Sequence, residues 1–149
     1  IVATTGVAAK VPTGEGHGFG TSLGDILEEV PDRDARWFTP TSKPWLFAHW
    51  AKQKAKGNGF ANGRVLTADT LSVPTISKRY FAGQGDGVVL QHPTKRDTYR
   101  WLTVREVARL HGVPDDYVLP EAKTVAGEVL GQAVVVPVWR AVIEGVGRG

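Results

Sequence analysis

The sequence contains no cysteine and no methionine. Without cysteine the chain can form no disulfide, no thiolate-bound metal site and no cysteine nucleophile. Without methionine it lacks a start residue, so we expect it to be trimmed or to be a piece of something longer. Long apolar runs are also absent: the candidate run Val134 to Val138 falls far short of the roughly 20 residues that a membrane-spanning helix needs. No membrane span is therefore expected, and no retained secretory signal is visible.

The composition is nevertheless that of a folded chain. Its 149 residues are 42% hydrophobic and 22% charged, which suits one domain, or one domain with an appended piece, and excludes wholesale disorder. The formal net charge is +3. This mild basic excess permits a polyanionic partner without demanding one.

Local patterns for catalysis or metal binding are missing. The histidines at positions 17, 49, 92 and 111 each lack a second histidine at i+2, i+3 or i+4, so we expect no metal site. The adjacent Asp115 and Asp116 follow a predicted helix end and favour a turn. No G-x-S-x-G nucleophile elbow occurs. The chain therefore shows no self-contained active site.

Two helices are predicted in the first third of the chain, after a glycine-rich segment at residues 14–20 that indicates a flexible connection. Ser22 and Asp25 favour a short helix, which Pro31 ends. Pro44 suits the first turn of a stronger helix, which Gly57 ends. Three lysines near that end suit a helix C-terminus, and we interpret them as a solvated face, with a binding site as the open alternative: Lys52, Lys54 and Lys56.

The region between residues 57 and 100 predicts short strands, because β-branched runs are separated by glycine and proline. The runs are Val65 to Thr67, Val73 to Ser77, Tyr80 to Phe81 and Val88 to Gln91. The sequence thus indicates an α+β fold, with a small irregular β-rich region and a few short helices.

The last third predicts two further helices. Thr103 and Glu106 form a capping box that begins a helix ending at Leu110. Val134 to Val136 is expected to be extended, and Val138 to Val146 is expected to form a closing amphipathic helix.

Residues 102–113 allow two interpretations. One is the first half of a DNA-binding helix-turn-helix, with a glycine at the turn. The prolines that follow, Pro114 and Pro120, leave no room for a recognition helix, so this interpretation stays an alternative.

The other interpretation uses more residues. Residues 100–117, which read RWLTVREVARLHGVPDDY, resemble motif IX of the cytosine-5 DNA methyltransferases, R-x-L-T-x-R-E-x-A-R-L-Q-G-F-P-D. Residues 131–138, which read GQAVVVPV, resemble their motif X, G-N-S-V-x-x-P. The two motifs follow the family's order at a plausible separation, and together they are far more specific than either alone.

The segments before motif IX extend this resemblance. In the family this region is the target recognition domain, which carries a Thr followed by Leu, Ile or Val near a glycine-containing segment; here Pro74 to Phe81 and Gly83 to Gly87 fit. Ile1 to Thr4 resembles the last strand of motif VIII. The resemblance implies the C-terminal part of such an enzyme: residues 1–20 as the tail of motif VIII and a connecting loop, 21–99 as the target recognition domain, 100–120 as the motif IX helix, and 121–149 as motif X with a C-terminal helix.

Two of the family's motifs are missing from the chain. The F-x-G-x-G cofactor motif and the Pro-Cys nucleophile motif do not occur, so the chain alone should not methylate DNA. The resemblance therefore implies a catalytic domain carrying the Pro-Cys nucleophile, on the same chain or on a separate subunit. The C-terminal helix would dock on that absent, Rossmann-like domain.

The resemblance also implies residue roles. Candidate DNA contacts are Thr75, Ile76, Lys78, Arg79, Gly83, Gln84 and Gly85, with an ordinary hairpin tip bearing exposed cations as the alternative. The motif IX pair, Arg105 and Glu106, would organise the recognition domain. S-adenosylmethionine, bound only by the complete enzyme, would contact Gly131, Gln132, Ala133 and Val134. Gln132 stands where the family usually has Asn; it keeps the amide and adds one methylene group.

The functional prediction is the DNA target recognition portion of an S-adenosylmethionine-dependent cytosine-5 methyltransferase. It would bind double-stranded DNA in the major groove and support cytosine flipping. A stand-alone, catalytically inactive DNA-binding protein and an interaction domain that binds no nucleic acid remain alternatives. We expect a prokaryotic or phage-encoded protein of the cytoplasm and nucleoid, with restriction-modification as one biological role.

Overall fold

The computed structural model describes residues 22–57, 64–82, 87–133 and 135–147. In the described residues four helices and three strands follow one another along the chain, together with single 3-10 turns at Leu23–Ile26 and Tyr80–Ala82. The helices are α1 (Pro44–Ala55), α2 (Val104–Leu110), α3 (Lys123–Gln132) and α4 (Val136–Gly147). The strands are β1 (Arg64–Leu66), β2 (Val88–Gln91) and β3 (Tyr99–Arg100). This is the α+β class that the sequence predicts.

The three strands form one sheet in the order β1-β2-β3. β1 runs parallel to β2 with Arg64 opposite Val88, and β2 runs antiparallel to β3 with Leu90 opposite Arg100. A parallel pair needs a crossover, and here residues 67–87 provide it. The described part of this connection, residues 67–82 (the crossover segment), contains Pro74 to Phe81 of the predicted recognition region.

Consecutive side chains of β2 point to opposite sides of the sheet and pack into two separate cores. Val88 and Leu90 belong to a first core with Tyr80, Leu102 and Val107, which α2, α3 and the Tyr80–Ala82 turn cover. Val89 points to the other side of the sheet, as expected for consecutive residues of a strand.

The second core is smaller and is covered by α1. Val89 packs there with Phe38, Leu46 and Trp50, all of them buried. Leu46 and Trp50 are four residues apart and so share one face of α1. The sheet thus separates α1 from the crossover segment and from α2 and α3.

The predicted helix ends at Pro44, Gly57 and Thr103 are confirmed. Pro44 is the first residue of α1, and Gly57 follows its end with a φ of +71°, which favours glycine. Thr103 caps α2, its hydroxyl accepting the Glu106 amide at 3.1 Å while the Glu106 carboxylate accepts the Thr103 amide at 2.8 Å.

Other sequence predictions were wrong in detail. Val73 to Ser77 joins no sheet, and Tyr80 to Phe81 lies in a 3-10 turn. Pro74 lacks an amide hydrogen and so cannot donate to a strand ladder. The short helix after Ser22 is a single 3-10 turn that ends at Ile26, before Pro31. Helix α3 was not predicted at all.

The C-terminal helix begins earlier than predicted. α4 starts at Val136 with Pro137 in its first turn, a position where the missing amide hydrogen costs nothing. The Val136 amide donates to the His111 carbonyl at 2.9 Å, which fixes the start of α4 on the end of α2.

Residues 123–145, taken as one stretch, are long and apolar enough to cross a membrane by length and composition. The stretch is divided in the structure, because α3 ends at Gln132 and Ala133 is extended, with φ −72° and ψ 148°. Each of the two helices is shorter than the roughly 20 residues of a span. α3 also buries Ala126, Gly127 and Leu130 against the rest of the fold.

Candidate functional site

A buried ion pair joins strand β3 to helix α2. The Arg100 guanidinium donates from both terminal nitrogens to the Glu106 carboxylate, at 2.7 and 2.6 Å. Arg100 is 1% exposed and Glu106 is 0% exposed. Two parallel hydrogen bonds between ionised groups fix the relative geometry of the two elements.

The same carboxylate holds two backbone segments. Besides capping Thr103, it accepts the Glu28 amide at 2.8 Å, across 78 residues of sequence. The Arg100 Nε has no partner among the described residues, but its guanidinium carbon lies 5.4 Å from the centre of the Trp37 ring. Glu106 thus holds together the backbone at Glu28, strand β3 and helix α2.

Two further arginines of α2, Arg105 and Arg109, form hydrogen bonds with other segments of the chain. Arg109 forms two hydrogen bonds to Asp115, at 2.7 and 2.9 Å, and a third to the Ile26 carbonyl at 3.0 Å. Hydrogen bonding to Arg109 lowers the pKa of Asp115. Arg105 donates to the Tyr117 carbonyl at 3.2 Å. The turn after α2 is therefore tied to the helix itself.

The crossover segment is anchored at Tyr80. The buried phenol donates to the Val88 carbonyl at 2.8 Å and accepts the Leu102 amide at 2.9 Å. Burial raises the pKa of Tyr80 well above its usual range. Gly87 packs directly on the ring, since a Cβ there would lie 2.7 Å from it. The segment is thereby tied both to β2 and to Leu102, two residues before α2 begins.

Two glycines of α3 allow this segment to lie against the helix. A Cβ on Gly127 would collide with the Phe81 ring, and one on Gly131 would collide with the backbone of Ser77 and Lys78. Gly127 and Gly131 are four residues apart and therefore share a face of α3. Helix and crossover segment are in backbone contact, which any larger residue at Gly131 would prevent.

The structure brings several predicted site residues together. Thr75, Lys78 and Arg79 are exposed, while Ile76 is half-buried against the first core. Gly131 touches the backbone of Lys78, so one residue predicted to bind DNA and one predicted to bind cofactor are in contact. The remaining predicted residues, Gly83, Gln84, Gly85 and Val134, lie outside the described residues, as do Ile1 to Thr4.

The predicted cofactor residues fit S-adenosylmethionine only in part. The crossover segment occupies the Cα side of Gly131, which leaves no room there for a ligand. Gln132 and Ala133 are exposed at the end of α3, with the Gln132 amide 3.2 Å from the Glu128 carboxylate. These two residues can supply an edge to a pocket whose other walls come from elsewhere. No group of three or more potential metal ligands occurs within the described residues.

Sequence reasoning missed three residues that build the site. Arg100 and Arg109 belong to the quoted motif, and the carboxylate partner of each lies six residues further along it. The Arg109 bond to the Ile26 carbonyl spans 83 residues, and no local spacing identifies it. The sequence pattern predicts a strand at Tyr80, whereas the residue lies in a 3-10 turn. A phenol followed by a glycine-rich segment is not a pattern that distinguishes a buried anchor from an exposed ring.

Comparison with known proteins extends the resemblance to most of the chain. The family model for C-5 cytosine-specific DNA methylase matches residues 14–148. The chain is 36% identical to the type II methyltransferase M.NlaX of Neisseria lactamica over 129 residues, and 33% identical to M1.ScrFI of Lactococcus lactis over 125. These matches cover 85% and 83% of this chain but 39% and 31% of the relatives. The chain thus spans less than two fifths of their length.

Solved structures show the same fold. The S. pombe Dnmt2 methyltransferase matches with a TM-score of 0.62 at 21% identity, over 87% of this chain and 42% of that one. The Entamoeba histolytica methyltransferase EhMeth matches with a TM-score of 0.55 at 13% identity, over 85% and 41%. Motif, family model and relatives agree, and this chain belongs to the C-5 cytosine-specific DNA methylase family.

Proposed function

We propose that this chain is the C-terminal, target-recognising part of a cytosine-5 DNA methyltransferase. The observation that carries the proposal is the contact of the Ser77–Lys78 backbone with Gly131, which fixes the crossover segment while leaving Thr75 and Lys78 exposed. A recognition surface needs this combination, because side chains that read bases must be held in place by a rigid support. Residues 21–99 form the recognition domain, and residues 100–149 form its support.

Thr75, Lys78 and Arg79 would contact duplex DNA. Lys78 and Arg79 carry charge that neutralises phosphates, and Arg also suits the acceptors of guanine in the major groove. Cytosine must leave the base stack before its C5 atom can react, which costs a few kcal/mol that contacts around the vacated position offset. Thr75 and the half-buried Ile76 are placed in this segment, next to the charged pair.

Arg105 and Glu106 support the surface without touching DNA. Glu106 has no exposed area and is occupied by Arg100 and two backbone amides. Arg105 is occupied by the carbonyls of the turn after α2. Their role is to set the position of the recognition domain relative to α2.

The methyl transfer itself needs a second domain. With no cysteine in the sequence, the nucleophile for cytosine C6 must come from a catalytic domain that this sequence does not contain. S-adenosylmethionine, when bound there, supplies the methyl group, and Gln132 and Ala133 would border its pocket.

Helix α4 offers the surface for that catalytic domain. Val136, Trp139 and Ile143 lie on one face at i, i+3 and i+7, and Trp139 and Ile143 are 52% and 56% exposed. Exposed apolar stripes of this kind mark interaction sites. The matches leave 61% and 69% of these relatives uncovered, which is room for the domain that would cover this face.

Salt dependence of DNA binding tests the proposal. Fluorescence anisotropy with a labelled duplex should show affinity falling on the order of 10²-fold between about 50 and 200 mM NaCl, given roughly four phosphate contacts. The K78Q/R79Q double variant should reduce both the affinity and this slope. An affinity that does not change with salt would overturn DNA binding as the role of the chain.

A further inference from the structure

Helix α1 concentrates the positive charge of the chain. Residues 43–57 contain four lysines and no Asp or Glu, a formal charge of +4. The whole chain carries +3, so the remaining residues sum to +3 − 4 = −1. The basic excess therefore falls within one short segment of the sequence.

Helical register places two of these lysines beside an exposed tryptophan. Trp45, Lys52 and Lys56 stand at i, i+7 and i+11, which is one face of a helix. Trp45 is 50% exposed, and both lysines are exposed and form no ion pair with a described residue. Lys54 projects about 200° around the helix from Lys52, given roughly 100° per residue.

Trp45, Lys52 and Lys56 form a stripe along α1, and the packing of the helix fixes the direction in which this stripe points. Leu46 and Trp50 are buried in the second core, so α1 cannot rotate about its axis. Lys43 is already engaged, because its ammonium lies 5.2 Å from the centre of the Trp101 ring and 5.6 Å from that of Phe38. Lys52 and Lys56 remain available to a partner.

The C-terminal end of α1 is within chain-length reach of the end of the sheet at which the crossover segment is anchored. β1 and β2 are parallel with Arg64 opposite Val88, so the residues that precede the two strands lie at one end. Gly57 precedes Arg64 by seven residues, a span of at most about 25 Å. On the other face of the sheet, the Tyr80 hydroxyl is bonded to the Val88 carbonyl, which holds the crossover segment at that end.

We propose that Trp45, Lys52 and Lys56 bind the sugar–phosphate backbone of the duplex beside the bases that the crossover segment reads. The inference rests on the proposed function and adds a second contact surface to it. Lysine ammonium groups neutralise phosphates, and the indole N–H is a donor that suits a phosphate oxygen. Such contacts set register and affinity but carry no sequence information.

The test compares two charge-matched double variants of the 149-residue chain. K52Q/K56Q removes the two charges of the stripe. K54Q/K123Q removes two exposed lysine charges outside the stripe, one on another face of α1 and one on α3. With a labelled duplex, the slope of log affinity against log salt should fall by about 1.8 for K52Q/K56Q, at 0.9 per phosphate contact. The slope for K54Q/K123Q should stay close to that of the parent chain, and K52R/K56R should keep the parental slope.

The outcomes distinguish failure of this inference from failure of the proposed function. Equal slopes for K52Q/K56Q and K54Q/K123Q, with salt-dependent binding by the parent, would overturn the α1 surface alone. A parent chain whose binding ignores salt would overturn both. Far-UV circular dichroism of each variant checks that α1 is intact, and the K52R/K56R variant separates loss of charge from loss of fold.

Discussion

Arg100 and Glu106 form a bidentate ion pair inside the protein, with nitrogen–oxygen distances of 2.7 and 2.6 Å. The pair lies six residues apart in sequence, at the junction of β3 and α2, and Glu106 also holds the amides of Thr103 and Glu28. A buried pair of this kind contributes to geometry more dependably than to net stability, because burial of two charges offsets much of their attraction.

Removal of one partner should be far more costly than removal of both. Glu106→Ala leaves the Arg100 charge buried and unpaired, so we expect a loss of about 3–5 kcal/mol in the free energy of unfolding. The R100M/E106M double variant should lose less than Glu106→Ala alone. Urea unfolding followed by Trp fluorescence measures both.

The exposed pair of Arg36 and Asp34 provides the control for this comparison. Arg36→Ala should change the urea midpoint little, because exposed ion pairs contribute little to stability. A double variant as unstable as Glu106→Ala would contradict the account of the buried pair.

Gly131→Ala should displace the crossover segment. In an isolated helix alanine is favoured over glycine by up to about 1 kcal/mol, so a loss of stability would report the collision with Ser77 and Lys78. We expect a net loss of about 1–3 kcal/mol, typical of overpacking, and weaker DNA binding. Thermal unfolding and anisotropy measure the two effects.

Gly57→Ala serves as the matched control. A Cβ on Gly57 meets nothing within 4 Å, although the φ of +71° makes the substitution strained. It should therefore destabilise the end of α1 without moving the crossover segment, and the K78Q/R79Q effect on DNA binding should persist in its background. Unchanged stability and binding in Gly131→Ala would show that the helix and the segment are not in contact.

Tyr80→Phe should remove the hydrogen bonds that hold the crossover segment to β2 and to Leu102. The variant leaves the Val88 carbonyl and the Leu102 amide without their partner in a buried site, which costs about 1–3 kcal/mol in the free energy of unfolding. Hydrogen exchange at the Leu102 amide should increase. Exchange that stays at the parental rate would indicate that the phenol contributes no hydrogen bond there.

The Tyr80 hydroxyl also predicts a loss of stability at alkaline pH. Burial raises its pKa in the folded state above the ordinary value of 10.0. Above that ordinary value the unfolded chain releases the proton while the folded chain keeps it, so stability falls as pH rises. Urea midpoints measured between about pH 8 and 11 should decrease more steeply for the parent than for Tyr80→Phe. Identical slopes would contradict the buried position of the phenol.

The parts of the fold that depend on neighbours in sequence were predictable. The Thr103 capping box and the Pro44 start of α1 each need only a few consecutive residues, and both are confirmed. The motif resemblance likewise found the family, because its residues are adjacent in sequence.

The rest depended on contacts between distant residues. The bond from the Glu28 amide to Glu106 joins positions 78 residues apart, and no periodicity predicts it. Helix α3 escaped prediction because Gly127 and Gly131 disfavour a helix locally, whereas its contact with Phe81 and Lys78 requires glycine. The β-branched Val73 to Ser77 run indicated a strand, but tertiary packing placed it in the crossover.

Selection from a pool of random duplexes tests the central claim most directly. The 149-residue chain would be bound to the pool at about 50 mM NaCl, a salt concentration at which phosphate contacts are strong, and the retained duplexes sequenced over several rounds. The account predicts enrichment of one short cytosine-containing sequence, which is lost with Gly131→Ala and K78Q/R79Q. Retention of duplexes with no common sequence, or no retention at all, would contradict a target recognition role.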